Sequence, residues 1–355
     1  MDKVISITSF ILILLTILLI IPKKGYAKVD KYEWLPSESA LENYPMQIVE
    51  GYLIYKDDSS LYIPDGKIIR NGLGELLSTH AVGDDFKPIP DRLSILWFSY
   101  TEDKFYEGHF DLPFEKISKL FKAGFKSQSF SGHVTYDSIV VGLAPEGEIS
   151  VFLVEEEILE VARFKAEEVE RDWKLILNNE SILKADYIKK VLSYEPSKPD
   201  KAALLKENAI PAGKWDLYRE VYRRQYPWKL KITGGVPTIA WLRTYNGENE
   251  FFDFSRPSSN RSHRSIPRLI DLSWTNSKKG EYYAPIVFNQ DEIIDAFKKL
   301  SFEKGDDEIT VEIIIKEKPR SLENTKTVRT IDIFIKNSIS AIKLEKQRTE
   351  ISVTK

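Results

Sequence analysis

Residues 89–97 read Ile89-Pro90-Asp91-Arg92-Leu93-Ser94-Ile95-Leu96-Trp97, and residues 266–274 repeat the pattern as Ile266-Pro267-Arg268-Leu269-Ile270-Asp271-Leu272-Ser273-Trp274. In both copies a proline stands seven residues before a tryptophan, and large apolar residues fill alternate positions. Strict alternation over this length predicts a β-strand with one face in a hydrophobic core. The proline suits the first residue of such a strand, where no backbone donor is required.

The segments that follow the two copies also correspond. Each continues through a polar turn into a second strand, with a tyrosine nine residues past the tryptophan, and then into a short helix. We interpret this as an internal repeat and predict an α+β fold. It would consist of two tandem related units, each a mostly antiparallel sheet with one packed helix, joined by a helical connector. The predicted structural core residues are Trp97, Trp274, Tyr106, Tyr283, Phe121 and Phe297.

The length of 355 residues exceeds that of one ordinary hydrophobic core. The predicted boundaries are 1–27 for a signal peptide or signal anchor, 28–167 for the first α+β repeat, 168–225 for the helical connector and 226–355 for the second α+β repeat. Residues 28–43 are interpreted as a polar approach segment that precedes the first strand.

The N-terminus predicts export. Lys3 is followed by the apolar run Val4–Ile21, and the small residues Gly25 and Ala27 suit a signal-peptide cleavage site. The run is also long enough to span a bilayer, so residues 4–21 are alternatively an uncleaved inner-membrane anchor. We therefore expect a periplasmic or membrane-anchored protein. It is not a lipoprotein, because the sequence contains no cysteine to acylate.

Composition and motifs argue against several functions. A net charge of −3 disfavours a general nucleic-acid binder, which would carry a broad basic surface. The four histidines show no metal-ligand spacing, and no phosphate-binding or dinucleotide-binding motif is present. The turn Gly72-Leu73-Gly74 alone is too short to count as such a motif. The sequence predicts neither a cofactor nor a metal site.

Four segments of the first unit carry a resemblance to a known family. They are Tyr44-Pro45, Leu93-Ser-Ile-Leu-Trp-Phe-Ser-Tyr100, Lys104-Phe-Tyr-Glu-Gly-His-Phe-Asp-Leu-Pro113 and Ile139-Val-Val-Gly-Leu-Ala-Pro-Glu-Gly147. In these the chain resembles the bacterial family called Domain of Unknown Function 2931, most clearly from about Trp34 to Phe164. The resemblance implies a Gram-negative envelope protein. It implies no activity and no site residues.

An arginine-rich stretch of the second unit stands apart in a chain that is acidic overall. We predict that it binds a protein partner, one with an acidic surface, because arginine forks suit bidentate contacts with carboxylates. An ordinary solvated loop is the alternative. The corresponding loop of the first unit, His80–Pro88, carries Asp84 and Asp85 instead. The candidate partner-binding residues are Arg256, Arg261, His263, Arg264 and Arg268.

The leading functional hypothesis is a non-catalytic binding or interaction protein of the periplasm, including an immunity- or inhibitor-like role. The chain would contact the membrane only through an uncleaved N-terminal segment. One alternative is an envelope hydrolase with its site between the repeats. Another is a glycan- or peptidoglycan-binding module that uses the hairpin aromatics of residues 97–106, because such rings offer a flat apolar face.

Overall fold

A computed structural model describes residues 30–79, 81, 83–127, 132–194, 215, 217–256, 263–276, 280–304, 308–317 and 329–354. The protein is mostly β, with 49% strand and 15% helix. The predicted α+β class, with one packed helix in each of two tandem units, is therefore wrong. The prediction missed short strands in segments that lack a clear apolar alternation. Several sheets, and few helices, provide most of the packing surfaces.

Residues 28–167 are called the first half below, and residues 226–355 the second half. The described strands up to residue 169 are β1 (Lys31–Glu33), β2 (Leu35–Ala40), β3 (Met46–Ile54), β4 (Ser60–Tyr62), β5 (Phe86–Pro88), β6 (Arg92–Ser99), β7 (Lys104–Asp111), β8 (Phe125–Lys126), β9 (His133–Val134), β10 (Ser138–Ala144), β11 (Glu148–Val154), β12 (Ile158–Lys165) and β13 (Glu167–Val169).

The described strands of the second half are β14 (Trp228–Thr233), β15 (Val236–Thr244), β16 (Asn249–Asp253), β17 (Pro267–Thr275), β18 (Glu281–Val287), β19 (Ile309–Glu317), β20 (Arg329–Lys336), β21 (Ala341–Leu344), β22 (Arg348–Thr349) and β23 (Ser352–Val353). The α-helices are α1 (Phe114–Ala123), α2 (Lys184–Leu192) and α3 (Gln290–Lys304), and a π-helical turn spans Leu217–Tyr222.

The strand pairing of the two halves follows the same scheme. In the first half β2 runs parallel to β10, and β11 and β12 continue that sheet antiparallel. In the second half β14 runs parallel to β19, and β20 and β21 continue in the same way. The five-stranded sheet of the first half has the order β13-β7-β6-β3-β4, and the second half matches it with β22-β18-β17-β15-β16. Two short pairs of the first half, β1-β5 and β8-β9, stand outside this scheme.

A β-bulge falls at the same register in both halves. In β3 the extra residue is Val49, which follows the partner of Trp97. In β15 it is Thr238, which follows the partner of Trp274. A bulge leaves one residue unpaired and increases the local twist of the strand. The strand opposite each tryptophan is therefore deformed at the same point.

Each tryptophan packs on a tyrosine across its hairpin. The ring centroids of Trp97 and Tyr106 are 5.5 Å apart, and those of Trp274 and Tyr282 are 5.6 Å apart. The core position predicted for Tyr283 is therefore occupied by its neighbour Tyr282. Successive residues of a strand face opposite sides, so Tyr283 points to the other face, is only half-buried and donates a hydrogen bond to Asp271.

Strands β10 and β11 separate two hydrophobic cores. Ile139 and Val141 face a core that includes α1 and the sheet of Trp97. Val140 and Phe152 face the other way, into a core that also holds Trp274 and the strands of the second half. Because both faces are covered, every residue of these two strands is buried. Such strands lack the alternation of a half-exposed strand.

The two halves share one sheet as well as one core. Ile158 of β12 pairs with Asn249 of β16, and this contact joins the strands of both halves into a 10-stranded sheet within the described residues. The connector covers the outer face of the first hairpin, where the Trp173 ring lies 5.2 Å from that of Phe98. None of the described helices is long and apolar enough to cross a bilayer. The predicted leader, residues 1–27, lies outside the described residues.

Candidate functional site

The arginine-rich stretch does not form one exposed surface. Arg264 is buried, with 6% of its surface exposed, and lies beside Glu250, which is 1% exposed. Its Nε and Nη2 donate to the two carboxylate oxygens of Glu250 at 2.7 and 2.8 Å, and its Nη1 donates to the carbonyl of Trp228 at 3.0 Å. Arg264 is thus a structural residue, and the prediction that it meets a partner is wrong.

The other predicted partner-binding residues separate in space. Arg256 forms an ion pair with Asp253 at 2.8 Å and donates to the carbonyl of Ser127 in the first half at 3.2 Å. His263 is exposed, and Arg261 lies outside the described residues. Arg268, the last of the five candidate partner-binding residues, lies at the start of β17 and lines a pocket.

This pocket, called the inter-half pocket below, has a volume of about 110 Å³. The first half contributes two loops to its wall, and the second half contributes the turn between β15 and β16 together with Arg268. Its lining residues are Leu41, Glu42, Asn43, Tyr44, Gly72, Leu73, Glu75, Tyr222, Arg243, Thr244, Tyr245, Gly247, Glu248, Asn249 and Arg268.

Two glycines allow the loops of the two halves to approach closely. Gly247 has φ +93°, and a Cβ there would lie 2.8 Å from the carbonyl oxygen of Leu73. Gly74 has φ +76°, and a Cβ there would lie 3.0 Å from the carbonyl oxygen of Gly247 in the second half and 2.6 Å from the side chain of Ile158 in its own half. Residues other than glycine are strained at such φ values. The Gly72-Leu73-Gly74 turn therefore serves packing between the halves at the wall of the pocket.

The pocket combines both signs of charge. Arg268 lies 3.8 Å from Glu42, and Glu75, Glu248 and Arg243 complete the charged lining. Arg243 Nε and Asn249 Oδ1 belong to the described side-chain atoms that are buried without a hydrogen-bond partner. Buried polar groups are nearly always paired, because an unmet one costs free energy. The donor Arg243 Nε and the acceptor Asn249 Oδ1 thus both lack a partner, although their residues pair across β15 and β16.

Aromatic rings support one side of the inter-half pocket. The rings of Tyr222 and Tyr245 stack at 4.8 Å. The Tyr222 hydroxyl donates to Gln290 Oε1 at 2.5 Å, and burial raises its pKa far above the ordinary value. The Tyr44 ring contacts Trp215 edge-on at 4.7 Å. The hydroxyl of Tyr222 thus stays protonated, and its ring orientation is fixed from two sides.

A buried charge network lies next to the pocket. Arg223, just after the π-helical turn, donates to Glu148 at 3.0 Å and lies 3.4 Å from Glu160. Burial raises the pKa of Glu160, while Arg223 opposes that rise. The carboxylate of Glu248 accepts the backbone N–H of Glu160 at 3.2 Å. This network connects the connector, the first half and the β15–β16 turn.

The hairpin aromatics proposed as a glycan platform are buried. Trp97, Phe98 and Tyr100 are at most 1% exposed, and Phe105 and Tyr106 at most 5%. These rings therefore offer no face to a sugar. Phe121 and Phe297 are buried as well.

The described histidines are engaged individually. His109 Nδ1 lies 2.9 Å from Ser94 Oγ, and His133 Nε2 lies 2.6 Å from the carbonyl of Ala123. Among the described residues, no group of three or more histidines and carboxylates could hold a metal ion.

Sequence reasoning did not find the pocket. Its charged residues come from segments far apart in the chain, and neither Arg243 nor Glu42 belongs to a motif. The arginine-rich stretch reaches it through Arg268, whereas the Gly72-Leu73-Gly74 turn was set aside as too short to be a motif.

The fold and the site define a mostly β protein with a polar pocket between its two halves. The chain belongs to the family described as "Protein of unknown function (DUF2931)", whose model matches residues 21–213. The match covers the first half and most of the connector. Comparisons with curated proteins and with solved structures give no match.

Proposed function

We propose that the protein is an exported, non-catalytic binding protein of the periplasm that holds the carboxyl end of a peptide or protein partner. The observation that carries this proposal is the inter-half pocket, where Arg243 Nε and Asn249 Oδ1 are buried without partners. A volume of about 110 Å³ is far below that of a pocket for a drug-sized ligand, which is roughly 300–1,000 Å³. The pocket therefore suits a single terminal group.

The charges of the lining narrow the ligand class. Arg243 and Arg268 suit a carboxylate, because guanidinium groups donate to both of its oxygens. Asn249 Oδ1 suits a backbone N–H. The acids Glu42 and Glu75 would repel a small bare anion, so the favoured ligand carries donors beside its negative charge. A peptide end, with a carboxylate and an amide N–H, meets these requirements.

The test compares the dipeptide Ala-Ala with its C-terminal amide by isothermal titration calorimetry on the full chain. We expect the free acid to bind more tightly than the amide. Arg243→Gln should weaken binding of the acid by about tenfold or more, since a hydrogen bond to a charged group contributes roughly 1.5–3 kcal/mol. Arg256→Gln, a charge loss outside the pocket, is the control and should leave binding unchanged.

Equal affinity for acid and amide would show that the carboxylate is not recognised. Loss of binding in Arg256→Gln to the same degree as in Arg243→Gln would show that general charge, and not the pocket, governs the interaction. Either result contradicts the proposal.

Export is supported by the sequence of residues 1–27, which lie outside the described residues. Cell fractionation followed by N-terminal sequencing checks it. We expect periplasmic protein that starts at Lys28, or membrane-bound protein with an intact N-terminus. Soluble full-length protein in the cytoplasm would contradict export.

We infer further that the two halves descend from one duplicated β unit. The matched order of strand pairing and the β-bulges at Val49 and Thr238 support this inference. An experimental structure in which Trp97 fails to superpose on Trp274 would contradict it.

A further inference from the structure

A second cavity lies in the first half and shares no residue with the inter-half pocket. Its volume is about 440 Å³, within the roughly 300–1,000 Å³ typical of small-molecule sites. We call it the β4–β5 groove, because both strands line it together with the segment before β4 and the start of α1. Part of its wall belongs to the loop before β6, where the first half carries aspartates and the second half arginines.

The floor of the groove is apolar and aromatic. Tyr55, Leu61 and Ile89 are buried beneath it, and Phe114 lies at its side. Phe86 of β5 is 59% exposed and is the most exposed phenylalanine among the described residues. The Phe86 ring therefore contributes little to the core and is open to contact from the groove.

The groove carries charges of both signs. The ammonium of Lys87 is taken up by the protein itself, since it donates to the carbonyl of Trp34 at 2.8 Å. The other charged lining residues are Lys31, Lys56, Asp57 and Asp84. With Lys87, three lysines and two aspartates line the groove, so a bare anion and a bare cation would each meet side chains of like charge.

The polar groups of the groove include both donors and acceptors. Lysine ammonium groups only donate, and aspartate carboxylates only accept. Burial raises the pKa of Tyr55 to about 12, so its hydroxyl remains protonated and can do both. Asp57 already accepts from the backbone N–H and hydroxyl of Ser59, at 3.1 and 2.6 Å, which fixes its position.

We propose that the β4–β5 groove binds an uncharged saccharide. The hydroxyls of a sugar donate and accept, as the mixed polar rim requires, and its C–H face packs on an aromatic ring such as Phe86. An anionic lipid or a nucleotide would be repelled by the carboxylates of Asp57 and Asp84. A purely apolar ligand would displace water from Lys31 and the two aspartates without replacing its hydrogen bonds.

Saccharide recognition would thus fall on a loop whose charge differs between the halves, and not on the buried hairpin rings. Residues 83–88 border the groove, and this is the region in which Asp84 and Asp85 replace the arginines of the second half. Loops on a shared scaffold are where recognition commonly diverges. All the residues that line the groove belong to the first half.

The experiment titrates the full chain with maltose, cellobiose and N,N′-diacetylchitobiose at millimolar concentrations, followed by saturation-transfer NMR and calorimetry. We expect at least one of them to bind. Phe86→Ala and Asp84→Asn should each weaken that binding by about tenfold, the change typical of losing one important contact. Both side chains are at the surface, so thermal melts should match those of the wild type.

Two control variants separate the groove from its surroundings. Tyr62→Ala removes a ring that is 44% exposed from strand β4, where it does not line the groove, and should leave saccharide binding intact. Arg243→Gln should also leave it intact, because it belongs to the inter-half pocket. If none of the three disaccharides binds, the proposal is wrong. Binding that Tyr62→Ala abolishes and Phe86→Ala spares overturns it as well.

Discussion

At the level of single residues, the guanidinium of Arg264 is enclosed by Glu250, the carbonyl of Trp228 and the aromatic ring of Phe252. Its centre lies 5.6 Å from the Phe252 ring, in addition to the two bonds to Glu250. Removing one member of a buried ion pair leaves the other charge without compensation. The pair is therefore sensitive to any change that removes only one side.

We expect Arg264→Ala to lower the free energy of unfolding by about 3–5 kcal/mol, the cost typical of breaking a buried pair from one side. Arg256→Ala is the matched control from the same stretch. Its partner Asp253 lies nearer the surface, so the loss should be about 1 kcal/mol or less. Urea unfolding of the two variants measures both values. Equal and small losses would show that Arg264 contributes no more than a surface arginine.

Local patterns predicted some residues well and others not at all. Trp97 and Trp274 occupy alternate apolar positions, and both are buried. Arg264 could not be interpreted correctly, because its partner lies 14 residues earlier on a different strand. A run of arginines looks solvated until the pairing of strands places an acid beside one of them.

At the level of elements, the class prediction failed where polar strands are buried. Residues 28–43 were interpreted as an approach segment, yet they include β2, an edge strand that pairs with β10 and is almost entirely buried. Its polar side chains are satisfied by the loop before β5. Ser37 Oγ and Ser39 Oγ accept backbone N–H groups of that loop, and Glu38 accepts from the hydroxyl of Ser78 at 2.6 Å. Sequence patterns that equate polarity with exposure cannot detect such a strand.

The strands with regular alternation, by contrast, were predicted. Residues 90–97 and 104–110 were expected as a hairpin and form β6 and β7, and the corresponding segments of the second half form β17 and β18. The error at Tyr283 came from counting residues across a turn, since one residue more or less exchanges the two faces of a strand.

The π-helical turn is attached to the first half through the network of Arg223, Glu148 and Glu160. Burial raises the folded-state pKa of Glu160. A carboxyl group with a raised pKa stabilises the fold below its unfolded pKa of about 4.3, and that contribution is lost as pH rises through the folded value.

Glu160→Gln should remove this dependence, because the amide stays neutral and can still accept from Ser150. We therefore expect the stability of the variant, relative to the wild type, to increase as pH rises from about 4.3 towards neutrality. Urea midpoints of both proteins at several pH values measure the difference. A difference that falls with pH would mean that Arg223 stabilises the ionised carboxylate more strongly than burial destabilises it.

At the level of the whole molecule, the boundary between the halves is a packed interface. The core around Trp274 contains Val140, Phe152 and Ile158 of the first half, and β12 continues the sheet into β16. Composition and repeats suggested two units with a connector, but could not reveal this shared core, because β10 and β11 supply it with the face turned away from Trp97.

A shared core predicts that the halves unfold together, as single cooperative units do. Pulsed hydrogen exchange at increasing urea, analysed by mass spectrometry, follows peptides of β10–β11 and of β17–β18 separately. We expect both sets to lose protection at the same urea concentration. Arg264→Ala lies in the second half, yet it should shift both midpoints equally, because the first half loses one face of its sheet when the second half unfolds. A shift confined to β17–β18 would show that residues 28–167 fold independently, and the interface would then be a docking contact between two stable domains.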